Sequence, residues 1–179
     1  MLTQLYFLTI DLKRWKCSSP KELFYIFFEL GIWATISYRI SRFLYLINIP
    51  VLKILSRLLA FFIFKLGEII LSISLRPGTD IGPGLYIGHT GIIRIHPNVK
   101  AGKNLSIGQL VTIGTKGVGH KGVPVIGDNV YIGVGAKILG NIKIGNNVKI
   151  GANAVVITDI PDNATAVGVP AKIVKLKES

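Results

Sequence analysis

Three histidines are the side chains of this sequence best suited to moving a proton or binding a metal near neutral pH, and all three fall between residues 89 and 120. His89 stands in Ile87-Gly88-His89-Thr90-Gly91. His96 follows in Ile95-His96-Pro97. His120 lies in the run from Thr115 to Pro124, Thr-Lys-Gly-Val-Gly-His-Lys-Gly-Val-Pro. A lone histidine is more often structural than catalytic. One that is flanked by glycines at a corner, or carried on a loop extruded from a rigid scaffold, is a better functional candidate. His89 therefore leads and His120 follows. The single Cys17 rules out an internal disulfide and fits a reducing compartment.

The element that must position these histidines is a repeat. Ile126, Ile132, Ile138, Ile144, Ile150 and Val156 recur every sixth residue, and four residues after each comes a small or aliphatic partner: Val130, Ala136, Ile142, Val148, Ala154, Ile160. The same period runs through Leu75, Ile81, Ile87 and Ile93, shifts by two residues, and continues through Ile95, Ala101, Ile107 and Ile113. A period of six matches neither a helix face nor a simple alternating strand. It is the period of a β-helix, in which each hexad supplies a short strand and a corner and three hexads close one coil. The aliphatic residue points into the coil, and glycine eases the turn. At roughly 18 residues per coil the stretch makes about four to five coils. The expected fold is thus an all-β left-handed parallel β-helix of hexapeptide repeats over residues 74–165. A helical region (residues 1–73) precedes it and a short C-terminal tail (residues 166–179) follows. His89 sits where the hexads re-register, and His120 where the period breaks.

Half the residues are hydrophobic, and 21 Lys and Arg against 9 Asp and Glu give a net charge of +12. The excess is spread along the chain. It suits an anionic membrane surface or a phosphorylated ligand; no motif for reading nucleic acid accompanies it, so no nucleic acid partner is expected. Met1 to Ile10 lacks the basic start of a secretory signal, which points to a cytoplasmic protein. Helices are expected over Lys21–Leu44 and, after the break at Asn48-Ile49-Pro50, over Val51–Ile73. Glu29, Arg39 and Arg42 interrupt the first and Lys53, Arg57, Lys65 and Glu68 the second, so neither offers the ~18–20 uncharged residues of a membrane span. Two readings stay open: a helical cap packing on the β-helix and on symmetry mates, or interfacial helices lying peripherally on a membrane.

The stretch from Ser74 to Lys175 resembles the serine acetyltransferase branch of the hexapeptide-repeat acyltransferases. The residues that carry the likeness are Ile87–Gly91, Gly133-Val134-Gly135-Ala136-Lys137-Ile138-Leu139-Gly140-Asn141 and Ala166-Val167-Gly168-Val169-Pro170-Ala171-Lys172. The resemblance implies a homotrimer with active sites between subunits, and acetyl-CoA as donor to a hydroxyl acceptor, without a metal. It places His89 on the family's general base. Gly114, Gly135, Ala136 and Ala154 would lie along pantetheine, and Lys172 would meet CoA phosphate. His120, His96 and Ser74 fall at positions implied to serve the acceptor.

The sequence also departs from that branch. Gly88 stands where the family has an Asp before the catalytic histidine, and Ser74 where an Asp orients the imidazole. His96 takes the place of a Glu, and the Arg-His pair of the loop is not matched before Pro124. The missing acids, together with Ile95-His96-Pro97 and Asp11-Leu12-Lys13-Arg14-Trp15, are similar to sugar O-acetyltransferases of bacterial capsule and exopolysaccharide pathways. The leading expectation is therefore a sugar acceptor, with L-serine as the alternative. Trimeric zinc anhydrases, which share the fold, and a non-catalytic scaffold are weaker readings.

Overall fold

The computed structural model describes residues 3–15, 24, 28–89 and 91–176. Elements are numbered in chain order. Helices α1 (Thr3–Lys13), α2 (Leu30–Tyr45) and α3 (Pro50–Leu71) precede fifteen short strands. Pro50 opens α3, where a missing N–H costs nothing. Ser72, left-handed at φ 56, closes it, and the chain passes directly into the first strand at Ile73.

The strands wind into about five coils of a left-handed parallel β-helix with three sheets. The first sheet stacks β1 (Ile73–Leu75), β4 (Ile93–Ile95), β7 (Thr112–Gly114), β10 (Lys137–Leu139) and β13 (Val155–Val156). The second stacks β2 (Asp80–Ile81), β5 (Lys100–Ala101), β8 (Val125–Ile126) and β11 (Lys143–Ile144). The third stacks β3 (Tyr86–Ile87), β6 (Ser106–Ile107), β9 (Tyr131–Ile132), β12 (Lys149–Ile150) and β14 (Ala164–Val167), and is closed by the antiparallel β15 (Lys172–Leu176). Pairing across coils measures each turn. Ile73 pairs with Ile93 and Arg94 with Thr112, so the coil carrying His89 has two extra residues. Thr112 pairs with Lys137, because the loop before Pro124 is inserted there.

The hexad positions form the core. Ile81, Ile87, Ile107, Ile132, Ile138 and Ile150 are buried, as are Val130, Ala136, Val148 and Ala154 between them. Each buried Ile or Val contributes about 1.5–3 kcal/mol relative to an exposed one, so a stack of them carries the solenoid. One corner of each successive coil is an asparagine at positive φ. Asn104, Asn129, Asn147 and Asn163 lie at φ 56–60 and pass side-chain hydrogen bonds of 2.8–2.9 Å from coil to coil. Asparagine tolerates this conformation better than other side chains, and here its amide also supplies the ladder.

The open end of the first coil is a row of unpaired strand edges, which proteins must cover. Helices α1 and α2 cover it with polar groups. Arg39 is fully buried and bonds Asp11 (Nε to Oδ2, 2.7 Å), Gln4 Oε1 (3.1 Å) and the carbonyls of Ile81 (2.8 Å) and Gly82 (2.6 Å). Asp11 Oδ1 in turn accepts from the amides of Gly84 (2.6 Å) and Leu85 (2.8 Å). Tyr38 donates to the Thr79 carbonyl (2.8 Å) and accepts from the Ile81 amide (3.2 Å). Arg42 caps Thr79 O and pairs with Asp80. The arginines read from the sequence as interruptions of an apolar helix are the groups that fasten it to the coil.

Helix α1 lies within the helical region expected over residues 1–73 but was not delimited there, because its buried residues, Gln4 and Asp11, are polar and leave no hydrophobic periodicity. The helix expected over Lys21–Leu44 is found as α2 from Leu30 to Tyr45; residues 21–23 and 25–27 lie outside the described ones. Among the described residues, no helix is long and apolar enough to cross a membrane.

Candidate functional site

His89 stands on the corner after β3, with the buried Ile87 anchoring the strand behind it and its own side chain exposed. The two-residue expansion of this coil makes the corner, and Gly91 turns it at φ 146 with its Cβ direction only 3.0 Å from Gln109 Cβ. Gly31 of α2 packs against the same segment from behind: a Cβ there would fall 1.9 Å from the Ile87 carbonyl oxygen.

The imidazole lines a cleft of about 320 Å³ shared with Arg14, Tyr86, Ser106, Gln109 and Tyr131. These come from the turn after α1 and from three successive coils of one sheet. Arg14 donates to the carbonyls of Gly84 (2.6 Å) and Leu105 (3.4 Å) and to Ser106 Oγ (2.9 Å), and its guanidinium lies 5.5 Å from the Tyr86 ring centre. Trp15 also packs against that ring, with centroids 4.7 Å apart. Burial holds Arg14 below its ordinary pKa, against the opposing pull of Tyr86 and Asp11. Gln109 Oε1 is buried without a hydrogen-bond partner. Gly88 leaves room for Tyr86: a Cβ at 88 would meet the tyrosine Cε1 at 3.2 Å.

A second cleft, of about 440 Å³, opens on a different sheet and holds Ser74, His96 and Gly114 together with Arg76, Arg94 and Thr112. His96 Nδ1 accepts from the Asn98 amide at 3.2 Å. The Glu68 carboxyl is held below its usual range, first by Lys65 at 2.6 Å and then by the Ser74 hydroxyl. Ser74 and His96, expected beside His89, therefore line a different cleft of this subunit. Gly114, expected along pantetheine, shares that second cleft with them.

His120 is exposed on the loop, its amide donating to Gly117 O at 3.3 Å, and lines neither cleft. Lys172 is exposed on β15, at the far end of the solenoid from the helices. Gly135 turns a corner at φ 74. Ala136 and Ala154, expected along pantetheine, carry no exposed surface and belong to the coil core, so in this subunit neither opens to a ligand. Arg14, Tyr86, Gln109 and Tyr131 were not among the residues expected at the site. The one signal for them was the Arg14-Trp15 pair, a cation beside a large aromatic just after α1. Among the described residues, no three His, Cys, Asp or Glu side chains gather as a metal site requires.

Residues 124–158 match the bacterial transferase hexapeptide family (six repeats). A serine acetyltransferase of Mycobacterium tuberculosis is 36% identical over 158 residues, covering 88% of this chain and 66% of the relative. A crystal structure of the Neisseria gonorrhoeae serine acetyltransferase in complex with serine superposes with TM-score 0.80 at 34% identity, covering 96% of this chain and 69% of the other. A serine acetyltransferase in complex with CoA superposes with TM-score 0.80 at 30% identity, covering 96% and 70%. The chain spans about half to two thirds of the length of the curated relatives it matches. These matches overturn the expectation of a sugar acceptor. That expectation rested on lost acids and on two short motifs, Ile95-His96-Pro97 and Asp11–Trp15, whereas the likeness extends through the helical region as well as the coils.

Proposed function

Because the chain belongs to the serine acetyltransferase family, we propose that it transfers the acetyl group of acetyl-CoA to the hydroxyl of L-serine, with His89 as the general base. The observation that carries this reading is the exposed imidazole on its glycine-flanked corner, opening onto a cleft large enough for a small acceptor. In this mechanism His89 takes the proton of the hydroxyl as its oxygen attacks the thioester carbonyl. The negative charge that develops on the carbonyl oxygen would be met by backbone N–H groups. Collapse breaks the C–S bond, and the imidazolium returns its proton to the departing CoA sulfur. No covalent enzyme intermediate is required, since the thioester is already activated. The structural relative in complex with CoA supports the donor, and the relative in complex with serine supports the acceptor.

Release of free CoA from acetyl-CoA with L-serine as sole acceptor tests the reading. Serine-dependent release well above hydrolysis is expected. Release that is unchanged by L-serine would overturn it.

Assembly and surface contact belong to the same proposal. The cleft at His89 is open on one side, and a trimer would supply the second wall and the loop bearing His120. Helix α3 turns Val51, Ile54, Leu55, Phe62, Ile69 and Ile70 to solvent, with Lys53, Arg57 and Lys65 on the same helix. An apolar face edged by cations suits peripheral contact with an anionic lipid surface. Flotation with anionic vesicles is the test: co-flotation supports the contact, and a protein that stays with the soluble fraction as a larger oligomer would assign the face to a second copy instead.

A further inference from the structure

Arg14 is the only permanently charged side chain among the described residues lining the His89 cleft. Three of its five N–H groups are spent, on two carbonyls and a hydroxyl, all neutral acceptors. Asp11, the described carboxylate whose charge acts on Arg14, is committed to Arg39 and to the amides of Gly84 and Leu85. Among the described residues Arg14 thus forms no ion pair. A half-buried guanidinium with two free N–H groups and no counter-charge is a receptor for an anion, and a carboxylate matches its planar fork. No acidic side chain lines the cleft among the described residues, so nothing there matches an ammonium. Gly88, beside the histidine, brings no side chain to the cleft, and a Cβ there would meet the Tyr86 ring at 3.2 Å. The loop from Thr115 to Pro124 carries no arginine.

We infer that Arg14 receives the carboxylate of the acceptor while His89 addresses its hydroxyl, so that the cleft selects 3-hydroxy carboxylates and draws little from the amine. This rests on the reading of the His89 cleft as the acceptor site, and it names which end of the acceptor is recognised. Arg14 is then a specificity-determining residue contributed by the turn after α1, the segment that also ties the helical cap to the first coil.

The experiment compares three acceptors on the full-length protein: L-serine, 3-hydroxypropanoate (carboxylate, no amine) and ethanolamine (amine, no carboxylate). Turnover and calorimetric binding are measured for the wild type and for Arg14→Gln and Arg14→Lys. For 3-hydroxypropanoate, kcat/KM is expected within about tenfold of L-serine, and for ethanolamine at least about 10–100-fold below it, the range a charge-assisted pair commands. Arg14→Gln should raise KM for L-serine by at least about tenfold with a much smaller change for ethanolamine; Arg14→Lys should fall between. Ethanolamine used as well as L-serine would overturn the inference, as would Arg14→Gln moving both acceptors alike, the mark of a structural role. If Arg14→Gln fails to fold, the wild-type acceptor comparison decides. If no acceptor is turned over, the functional reading fails, and calorimetry still decides here: Arg14-dependent binding of 3-hydroxypropanoate sustains the inference, and its absence ends it.

Discussion

Replacing Asp11 by alanine would leave Arg39 charged, closed to water and without its counter-ion, since both side chains of that pair are fully buried. Removing one partner of a buried pair costs about 3–5 kcal/mol. The same substitution takes the acceptor from the Gly84 and Leu85 amides, each of which loses roughly 1–3 kcal/mol if left unpaired. These losses share one site and do not add fully, so the expected total is about 4–6 kcal/mol. For a chain of this size that lowers Tm by roughly 10–20 °C. Circular dichroism melts at one fixed protein concentration would measure it, because assembly makes Tm concentration-dependent. The double variant Asp11→Leu with Arg39→Met removes both charges together and should recover much of the loss, as buried pairs replaced by apolar groups generally do. A drop of less than about 3 °C for Asp11→Ala, or a double variant less stable than the single one, would refute the view that this pair fastens the helices to the coil.

Gly31→Ala should destabilise by about 1–3 kcal/mol despite alanine's better helix propensity, because its Cβ would meet the rigid Ile87 carbonyl; a melt that rises instead would show that α2 can move away from the His89 corner. His89→Ala should lower kcat by roughly 10²–10⁴ while leaving the Kd for CoA nearly unchanged, measured by steady-state kinetics beside calorimetry. The Glu68 carboxyl lies below its ordinary value of 4.5, chiefly through Lys65, so its contribution is complete above that value and is lost as pH falls through the folded one. The stability difference between wild type and Glu68→Gln should therefore shrink on acidification below about pH 4.5, and a difference that grows there would contradict the assignment.

The solenoid was legible because its period is written into neighbouring residues. An aliphatic side chain at every sixth position has one geometric solution, and Ile126, Ile132, Ile138, Ile144 and Ile150 are all buried where that solution puts them. The two-residue shift read between Ile93 and Ile95 reappears as a coil two residues longer, its extra length lying at the corner just before Ile93, and the break before Pro124 as an inserted loop. The asparagine ladder was less visible, since its residues are unremarkable singly and gain meaning only when stacked.

His89 could be singled out from its flanking glycines, but its surroundings could not. Arg14, Tyr86, Gln109 and Tyr131 are separated by up to more than a hundred residues, and they meet only because coil stacks on coil and α1 folds back over the first. The same stacking sends Ser74 and His96 to another sheet, although both lie within fifteen residues of His89. The choice of a sugar acceptor failed for a related reason: it weighed a few lost acids and two short motifs without the chain-long likeness around them. Arg39 and Arg42 show the division most plainly. In the sequence they are charges that spoil an apolar helix, and in the folded chain they are buried ligands of backbone carbonyls and acids. A local period fixes which residues face the coil's interior. What a charge is for depends on which distant groups close around it, and that is settled only when the helices dock.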